Sequence, residues 1–300
     1  MSGQATPSHC APTTGFEAIP NYAALENPPL AISISQVTKT FGRKTPAADK
    51  RVAVLNNLSL SVPAGQTLCL LGPSGCGKTT LVNLIMGIEI PSSGQVTVLG
   101  EQAPYPTVRP RIGFMSQADA LYDDITAAEN LRFFGTMQGM SAREIRHRSQ
   151  MLLEFTRLTE HENRLVSAFS GGMKRRLSLA VAMLHSPDLL ILDEPTVGLD
   201  PDHRRSIWAE FDRLSAAGTT ILVTTHVMDE ATRCSQVALL SDGSVIAQGS
   251  PASLLKLTGT TDMESAFLSL VMSKRPAPQS VLADASPEPA TSTNKEAHHG

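Results

Sequence analysis

The chain has 300 residues, of which 41% are hydrophobic, and its formal net charge is −3. This length allows one large domain or two small ones with a sizeable core, and the composition is that of a globular protein. A nucleic-acid-binding protein usually has a strongly basic domain, so the charge gives no reason to expect a nucleic-acid partner. No apolar run approaches the roughly 18–20 residues of a transmembrane helix. We therefore expect another polypeptide to supply any membrane-embedded part.

The four cysteines, Cys10, Cys69, Cys76 and Cys234, are scattered and lack the spacing of metal ligands. This usage predicts free thiols in a reducing compartment. The N-terminus has no basic-then-apolar secretory pattern. These features favour the cytosol or the cytosolic face of a membrane.

Two segments at the ends of the chain are rich in Pro, Ala, Ser and Thr and show no hydrophobic periodicity. This composition predicts disordered tails over residues 1–29 and 273–300. The folded domain is expected over residues 30–272.

The first part of that domain is predicted to be mostly β-structure. The segments "LAISISQVTKTF" and "VAVLNNLSLSVPAG" alternate as half-buried strands do, and a charged loop separates them. The apolar run "QTLCLL" is typical of a buried strand and leads through a glycine-rich loop into a helical "LVNLIMG". Two further strands are predicted at "GQVTVLG" and "RIGFMSQ".

Residues 118–168 are expected to form a helical insertion. The stretch "SAREIRHRSQMLLEFTRL" has apolar residues at helical spacing, among them Ile145, Met151 and Leu152, with charges between them. This pattern predicts a helical subdomain that interrupts the β-rich core.

After Pro187 strands and helices alternate. Strands are predicted at "DLLILDE", "TTILVTTH" and "QVALLSDG", with helices between them. This alternation indicates an α/β fold with a largely parallel sheet. The pair Asp242-Gly243 lies between two apolar runs and predicts a closing hairpin.

The segment "GPSGCGKT", Gly72 to Thr79, fits the P-loop pattern between a predicted strand and a predicted helix. Its glycines let backbone N–H groups surround phosphates, and the helix N-terminus favours anions. Lys78 is expected to reach the β- and γ-phosphates, and the Thr79 hydroxyl to bind Mg²⁺.

Two further segments end in polar side chains where α/β sheets bind ligands. Asp193 and Glu194 follow a buried strand; Asp193 is placed to hold Mg²⁺ and Glu194 to polarise the attacking water. An acidic helix cap would give the same local pattern. His226 ends the next strand, where a neutral histidine can bond a γ-phosphate or orient water, although a lone histidine is more often structural.

The segment "FSGGMKRR" selects among P-loop proteins. Ser170 is a predicted helix N-cap, and Gly171 and Gly172 expose backbone N–H groups, which makes a second anion-binding helix start. In a two-fold dimer, the P-loop of one copy can face this segment of the other. An ordinary serine-capped helix is the alternative.

Taken in order, these motifs resemble the ATP-binding cassette (ABC) ATPases over about residues 30–249. The resemblance implies the ABC ATPase form of the P-loop NTPase fold, with a mixed sheet core, an antiparallel β part and the inserted helical subdomain. It also implies that the protein binds ATP and Mg²⁺. The implied catalytic residues are Glu194, His226 and Lys78, and the implied metal ligands are Thr79, Gln117 and Asp193. The implied ATP-binding residues are Phe41, Gly72, Pro73, Ser74, Gly75, Cys76, Gly77, Lys78, Thr79, Thr80, Gln117, Ser170, Gly171, Gly172 and Asp200.

Individual roles also follow from the resemblance. Phe41 matches the aromatic residue that stacks on adenine, in a loop that is longer here than is usual in the family. Gln117 matches the glutamine that senses the γ-phosphate and relays that signal to a transmembrane partner. Residues 170–172 match the signature that contacts ATP in the opposing subunit, and Asp200 matches a loop at the same dimer interface.

The outer signature positions depart from the commonest Leu-Ser-Gly-Gly-Gln, since Phe169 and Met173 occupy them. "MKRRL", "LDEPTVGLDP" and "TDMESAFLSLV" resemble the type-2 exporter group, which serves drugs, polysaccharides and lipids. The resemblance therefore implies the ATPase subunit of an exporter, peripheral on the cytoplasmic face of the cell membrane. Its implied partners are a separate transmembrane permease and a second ATPase subunit, in a homodimer or a heterodimer.

Two other functions are compatible with the same cassette. One is a soluble ABC ATPase that acts on ribosomes or DNA, although such relatives usually carry a second cassette, a coiled coil or a zinc module. The other is the ATPase of an importer or a lipid-extraction complex, although the remaining C-terminal segment is short for an importer's regulatory domain.

Overall fold

The computed structural model describes residues 28–42, 44–45, 48–49, 51–103 and 105–274. Almost all of the two predicted tails, and Cys10, lie outside the described residues. The last helix continues to Lys274, two residues beyond the predicted end of the folded domain at Met272.

The strands, in chain order, are β1 (Leu30–Phe41), β2 (Lys44–Thr45), β3 (Ala48–Asp49), β4 (Val52–Pro63), β5 (Thr67–Leu71), β6 (Ser93–Val98), β7 (Glu101–Gln102), β8 (Ile112–Met115), β9 (Leu189–Asp193), β10 (Thr220–Thr225), β11 (Gln236–Ser241) and β12 (Ser244–Gly249). The α-helices are α1 (Lys78–Ile85), α2 (Ala127–Met137), α3 (Ala142–Phe155), α4 (Gly171–Met183), α5 (Pro201–Ala216), α6 (Met228–Ala231), α7 (Pro251–Thr258) and α8 (Met263–Lys274). Short 3₁₀ turns lie at Arg109–Arg111, Thr159–His161 and Val166–Ala168.

A six-stranded sheet forms the centre of the fold, in the order β12-β11-β5-β10-β9-β8. Its strands pair in parallel except for β12, which pairs antiparallel with β11 through the predicted Asp242-Gly243 hairpin. Every residue of β5, β9 and β10 is buried. Burial on both faces explains why these strands are continuous apolar runs rather than alternating ones.

A second, antiparallel sheet has the order β4-β1-β6-β7. The long strands β1 and β4 stay paired from Leu30↔Pro63 to Phe41↔Val52. The charged segment between them was predicted to be a loop. It instead contains the short antiparallel pair β2–β3, because the hairpin continues past Phe41.

The helical insertion contains α2 and α3, each of which begins with a capping box, Thr126 with Glu129 and Ser141 with Glu144. Hydrogen bonds from the caps lower the pKa of both glutamates. These helices pack with α4 in a core that also covers one face of the central sheet.

The inward face of α3 differs from the predicted one at two positions. Ile145 and Leu152 are buried as expected, but Met151 is 44% exposed. Leu153 is buried instead. A helix buries a stripe rather than every apolar residue, and contact with α4 decides which residues that stripe includes.

The C-terminal helices α7 and α8 join the same core through Leu254, Met263 and Phe267. In the part of the chain that the structure describes, none of the helices combines the length and the hydropathy of a membrane span.

Candidate nucleotide-binding site

Four neighbouring parallel strands end at one edge of the central sheet, and each of them leads into predicted site residues. Along this edge, β5 leads into Gly72–Thr79, β10 into His226, β9 into Asp193-Glu194 and β8 into Gln117. Neighbouring strands lie about 4.8 Å apart. The sheet therefore brings these predicted residues together at the edge where α/β folds bind ligands.

The P-loop passes from buried β5 into α1, which begins at Lys78. Gly77 has a φ of 107°, and a Cβ there would lie 2.7 Å from Leu55 Cδ2. A larger residue is thus excluded both by backbone strain and by contact with β4. The backbone N–H groups at the start of α1 lie where the sequence predicts phosphate binding.

The side chains of the P-loop are held tightly. The Lys78 Nζ donates to Gly72 O at 2.7 Å and to Pro73 O at 3.1 Å, and Lys78 is 8% exposed. Burial raises the pKa of the Cys76 thiol, which keeps it protonated and unreactive. Lys78 therefore stays within the loop, where a phosphate oxygen can replace either carbonyl.

The predicted acid pair ends β9. Asp193 is 5% exposed, and its Oδ1 accepts a hydrogen bond from the Thr224 hydroxyl on β10. Glu194 has a φ of 52°, and its backbone N–H donates to Thr224 O at 3.0 Å. Left-handed backbone at a residue other than glycine costs about 1–3 kcal/mol and often marks a functional site.

Glu194 and His226, which were predicted separately, are in direct contact. The Glu194 Oε1 lies 2.9 Å from His226 Nδ1, within hydrogen-bond distance. The Glu194 side chain is 15% exposed and that of His226 is 52% exposed. A carboxylate oriented by a histidine at a phosphate-binding edge can position and deprotonate a water molecule.

The predicted metal ligands fit Mg²⁺ by their chemistry. Thr79, Gln117 and Asp193 offer a hydroxyl, an amide and a carboxylate oxygen, which are hard donors. Mg²⁺ usually takes one or two protein carboxylates and completes its shell with water and phosphates. Among the described residues, no group of three or more His, Cys, Asp or Glu side chains suited to a metal occurs.

The signature segment and Asp200 lie together on a different, exposed surface. Ser170 caps α4, where its Oγ accepts from Met173 N at 3.3 Å. A Cβ on Gly171 would meet nothing within 4 Å, whereas one on Gly172 would lie 3.5 Å from Gly198 O, two residues before Asp200. The signature segment therefore lies against the loop that leads to Asp200, and the N-terminal end of α4 faces outward.

Asp200 also has a local structural role. It caps α5 by accepting from the backbone N–H of Asp202 at 3.1 Å and of His203 at 3.0 Å. The bonds from the His203 backbone and then from its side chain lower the Asp200 pKa to about 2. The resemblance implied that Asp200 binds ATP at the dimer interface, and this capping role was not predicted.

Phe41 lies at the end of β1 and is 41% exposed. The Lys39 Nζ lies 4.9 Å from the centre of its ring and is anchored by Glu89 Oε2 at 2.6 Å. On β4, Val52 pairs with Phe41. Two residues further along β4, the Val54 carbonyl oxygen would lie 3.2 Å from a Cβ built on Gly77. The end of β1 that carries Phe41 is therefore linked to the P-loop through β4.

Two buried charged residues near the site were not recognised from the sequence. Glu230 on α6 is 2% exposed and accepts hydrogen bonds from the hydroxyls of Thr196 and Thr225. Arg175 on α4 is 7% exposed. Both occur in charged, polar runs that resemble solvated helix faces, and no local signal distinguishes them from such faces.

Comparison with known proteins agrees with this geometry. The profile of the ABC transporter family matches residues 55–197. "Nod factor export ATP-binding protein I" of Rhizobium leguminosarum bv. viciae is 46% identical over 231 residues, which is 76% of this chain and 72% of that protein. The protein of the same name from Paraburkholderia xenovorans is 44% identical, again over 231 residues, with 76% and 73% covered.

Solved structures show the same fold. One described as the ATP-binding subunit of an ABC transporter has a TM-score of 0.72 and 28% identity, covering 80% of this chain and 99% of that one. A dimeric ATP-binding cassette in a post-hydrolysis state, bound to ADP and Pi, has a TM-score of 0.67 and 27% identity, covering 73% and 98%. The predicted α/β ABC ATPase fold is confirmed. The chain belongs to the ABC transporter family and is an ATP-binding subunit that hydrolyses ATP.

Proposed function

We propose that the chain is the ATPase subunit of an exporter, working as a dimer on the cytoplasmic face of the membrane with a separate permease chain. The observation that carries the proposal is the edge of the central sheet, where the P-loop, Gln117 and the Glu194–His226 pair end adjacent parallel strands. The names of the relatives, which specify export, favour an exporter over an importer.

ATP is expected to bind with its adenine on Phe41 and its phosphates in Gly72–Thr79. The Lys78 ammonium, now bonded to two loop carbonyls, is placed to contact the β- and γ-phosphates instead. Thr79, Gln117 and Asp193 would hold Mg²⁺. When bound, Mg²⁺ neutralises charge on the phosphates.

Glu194 is the proposed general base for hydrolysis. Its Oε1 would take a proton from the water that attacks the γ-phosphorus, as the bond from that phosphorus to the β–γ bridging oxygen breaks. His226 orients the Glu194 carboxylate through the 2.9 Å contact between Nδ1 and Oε1. Because His226 follows β10 at the same edge of the sheet, we expect it also to hydrogen-bond the γ-phosphate. The buried Thr224 holds both Asp193 and the Glu194 backbone, so the two acids keep their relative position.

The exposed helix start at Ser170–Gly172 supports a dimer in which each ATP is held between two chains. Its backbone N–H groups form a second anion site on an open surface. The dimeric cassette among the solved relatives supports the same assembly. We therefore propose that Ser170, Gly171, Gly172 and Asp200 act on the nucleotide of the partner subunit.

A groove of about 420 Å³ beside the Gln117 loop is the proposed contact with the permease. Its walls are largely apolar and include Ile88, Phe114, Leu121 and Val181, and Ser116 connects it to Gln117. The exposed side chain of Ile88 extends the apolar surface at its rim. A short amphipathic helix of the permease fits this shape and chemistry, since such helices dock through apolar anchors into grooves.

Co-purification tests the assembly and turnover tests the site. The chain is expressed together with any polytopic membrane protein that a neighbouring reading frame encodes, and ATPase activity is measured in the complex and in the chain alone. Glu194→Gln is expected to abolish turnover while ATP still binds, and Lys78→Ala to weaken ATP binding. Asp212→Asn, at an exposed position of α5, is the control and should leave both unchanged. Full turnover by Glu194→Gln contradicts the proposed site, and failure to associate with any membrane protein contradicts the exporter role.

A further inference from the structure

Arg175 is a buried arginine on the helix that begins with the signature segment. One of the two terminal nitrogens of its guanidinium contacts the loop that carries Gln117. Its Nη1 donates to Ser116 O at 2.7 Å and to Gln117 O at 3.1 Å. These two bonds fix the backbone at the point where β8 ends.

The other terminal nitrogen of the Arg175 guanidinium contacts the end of β9. The Arg175 Nη2 donates to the carbonyl oxygens of Asp193 and Glu194, the second at 2.7 Å. All four acceptors are main-chain oxygens, and they come from two segments that are remote in sequence. A planar guanidinium can serve two such segments at once, whereas the single ammonium of lysine cannot hold four acceptors in this arrangement.

The charge of Arg175 is only partly compensated. Burial lowers the pKa of its guanidinium, while Asp119, Asp193 and Glu194 act in the opposite direction. The Asp119 Oδ1 lies 3.8 Å from Nη1 and also accepts from Ser178 Oγ at 3.0 Å. Keeping a charge at this depth is costly unless it is well hydrogen-bonded, and here the carbonyls provide the bonds.

We propose that Arg175 is a positioning residue for ATP hydrolysis, which holds the backbone of Gln117 and Glu194 at a fixed separation. The Gln117 amide and the Glu194 carboxylate then converge on the same Mg²⁺ and γ-phosphate. This inference rests on the proposed roles of Gln117 and Glu194. It assigns Arg175 no contact with the nucleotide.

Arg175→Lys tests the proposal, with Arg148→Lys as the matched control. Arg148 is a partly buried arginine, and burial lowers the pKa of its guanidinium as it does that of Arg175. It donates to Met183 O at 2.8 Å and to Leu184 O at 3.1 Å, at the opposite end of α4. Both variants lose hydrogen bonds between a guanidinium and backbone carbonyls. Only Arg175→Lys is expected to let the backbone at Gln117 and Glu194 move.

The measurements are the melting temperature, kcat, the KM for ATP, and the affinity for Mn²⁺ in the presence of ATP. The Mn²⁺ affinity is determined by electron paramagnetic resonance in a Glu194→Gln background, so it needs no turnover. Loss of a group that orients metal ligands typically costs about 10–100-fold in metal affinity or activity. We expect a loss of that size in kcat and in Mn²⁺ affinity for Arg175→Lys, with neither loss in Arg148→Lys.

Unchanged kcat and Mn²⁺ affinity in a folded Arg175→Lys protein would overturn the inference, as would equal losses in Arg148→Lys. If Arg175→Lys does not fold, Arg175→Gln decides, because its amide group can donate to only one of the two segments at a time. A loss of Mn²⁺ affinity of several-fold or more in that variant supports the inference, and wild-type affinity refutes it. Persistent turnover in Glu194→Gln would instead refute the proposed function, which keeps the two failures distinguishable.

Discussion

Replacing Glu230 with alanine is expected to lower both the stability of the protein and its rate of ATP hydrolysis. The buried carboxylate accepts hydrogen bonds from the hydroxyls of Thr196 and Thr225, the second at 2.8 Å. Thr196 lies two residues after Glu194, and Thr225 directly precedes His226. One side chain on α6 therefore connects the two segments that carry the proposed base and its histidine.

The expected loss of stability in Glu230→Ala comes from the two threonine hydroxyl groups that lose their hydrogen-bond acceptor. Both hydroxyls are buried, with Thr196 2% exposed and Thr225 0% exposed, and each would lose its acceptor. A buried polar group left without a partner costs about 1–3 kcal/mol. Two such groups set the expected loss at about 2–6 kcal/mol, or roughly 4–24 °C in melting temperature for a chain of this size. Glu230→Gln retains an acceptor and adds a donor, so about 1 kcal/mol is expected for it.

Thermal unfolding followed by circular dichroism provides the stability measurement, and kcat is taken at a temperature where every variant is folded. Asp212→Ala is the control, since Asp212 is an exposed acidic residue of α5. Surface substitutions of this kind usually change stability by no more than about 0.5 kcal/mol. The reasoning is refuted if Glu230→Ala is no less stable than Asp212→Ala, or if Glu230→Gln is as unstable as Glu230→Ala.

Three further predictions concern other parts of the molecule. Phe41→Ala is expected to raise the KM for ATP about tenfold, because base stacking on an aromatic ring contributes about 1–3 kcal/mol; Phe41→Trp should keep it, and an unchanged KM in Phe41→Ala would exclude stacking. Gly113→Ala should destabilise the protein by about 1–3 kcal/mol in urea titrations, since its Cβ would lie 2.2 Å from Ala182 O and push β8 away from α4; wild-type stability would show that this contact relaxes freely. The Asp200 pKa of about 2 lies below its ordinary value of 3.8, so the stability that this cap contributes is present above pH 3.8 and is lost as the pH falls toward 2. The melting temperature of the wild type should therefore fall more steeply over that range than that of Asp200→Asn, and parallel curves would contradict the assignment.

Local residue chemistry was sufficient to predict the individual site elements. The P-loop was recognisable because its glycines and Lys78 act through backbone conformation and short-range contacts. Asp193 and Glu194 were recognisable because a continuous apolar run must be buried and must end where polar side chains begin. The Asp242-Gly243 turn was predicted for the same reason, since its conformation depends on two adjacent residues.

The parts that were not predicted depend on partners far away in the chain. Arg175 bonds a carbonyl 59 residues before it, and Glu230 bonds a hydroxyl 34 residues before it. In sequence both look like ordinary charged helix residues. The choice of Leu153 over Met151 for the core was also made by packing against α4, which helical periodicity does not describe.

The amino-acid sequence by itself determined which residues are proposed to bind phosphate and metal, because those proposals depend on the chemistry of the residues and their immediate neighbours. The tertiary structure alone decided their arrangement. Strand β10 comes last of the four site strands in the chain, yet it lies between β5 and β9 and so places His226 against Glu194. Strand order is set by how buried strands and their covering helices pack together, and that packing is a property of the whole domain.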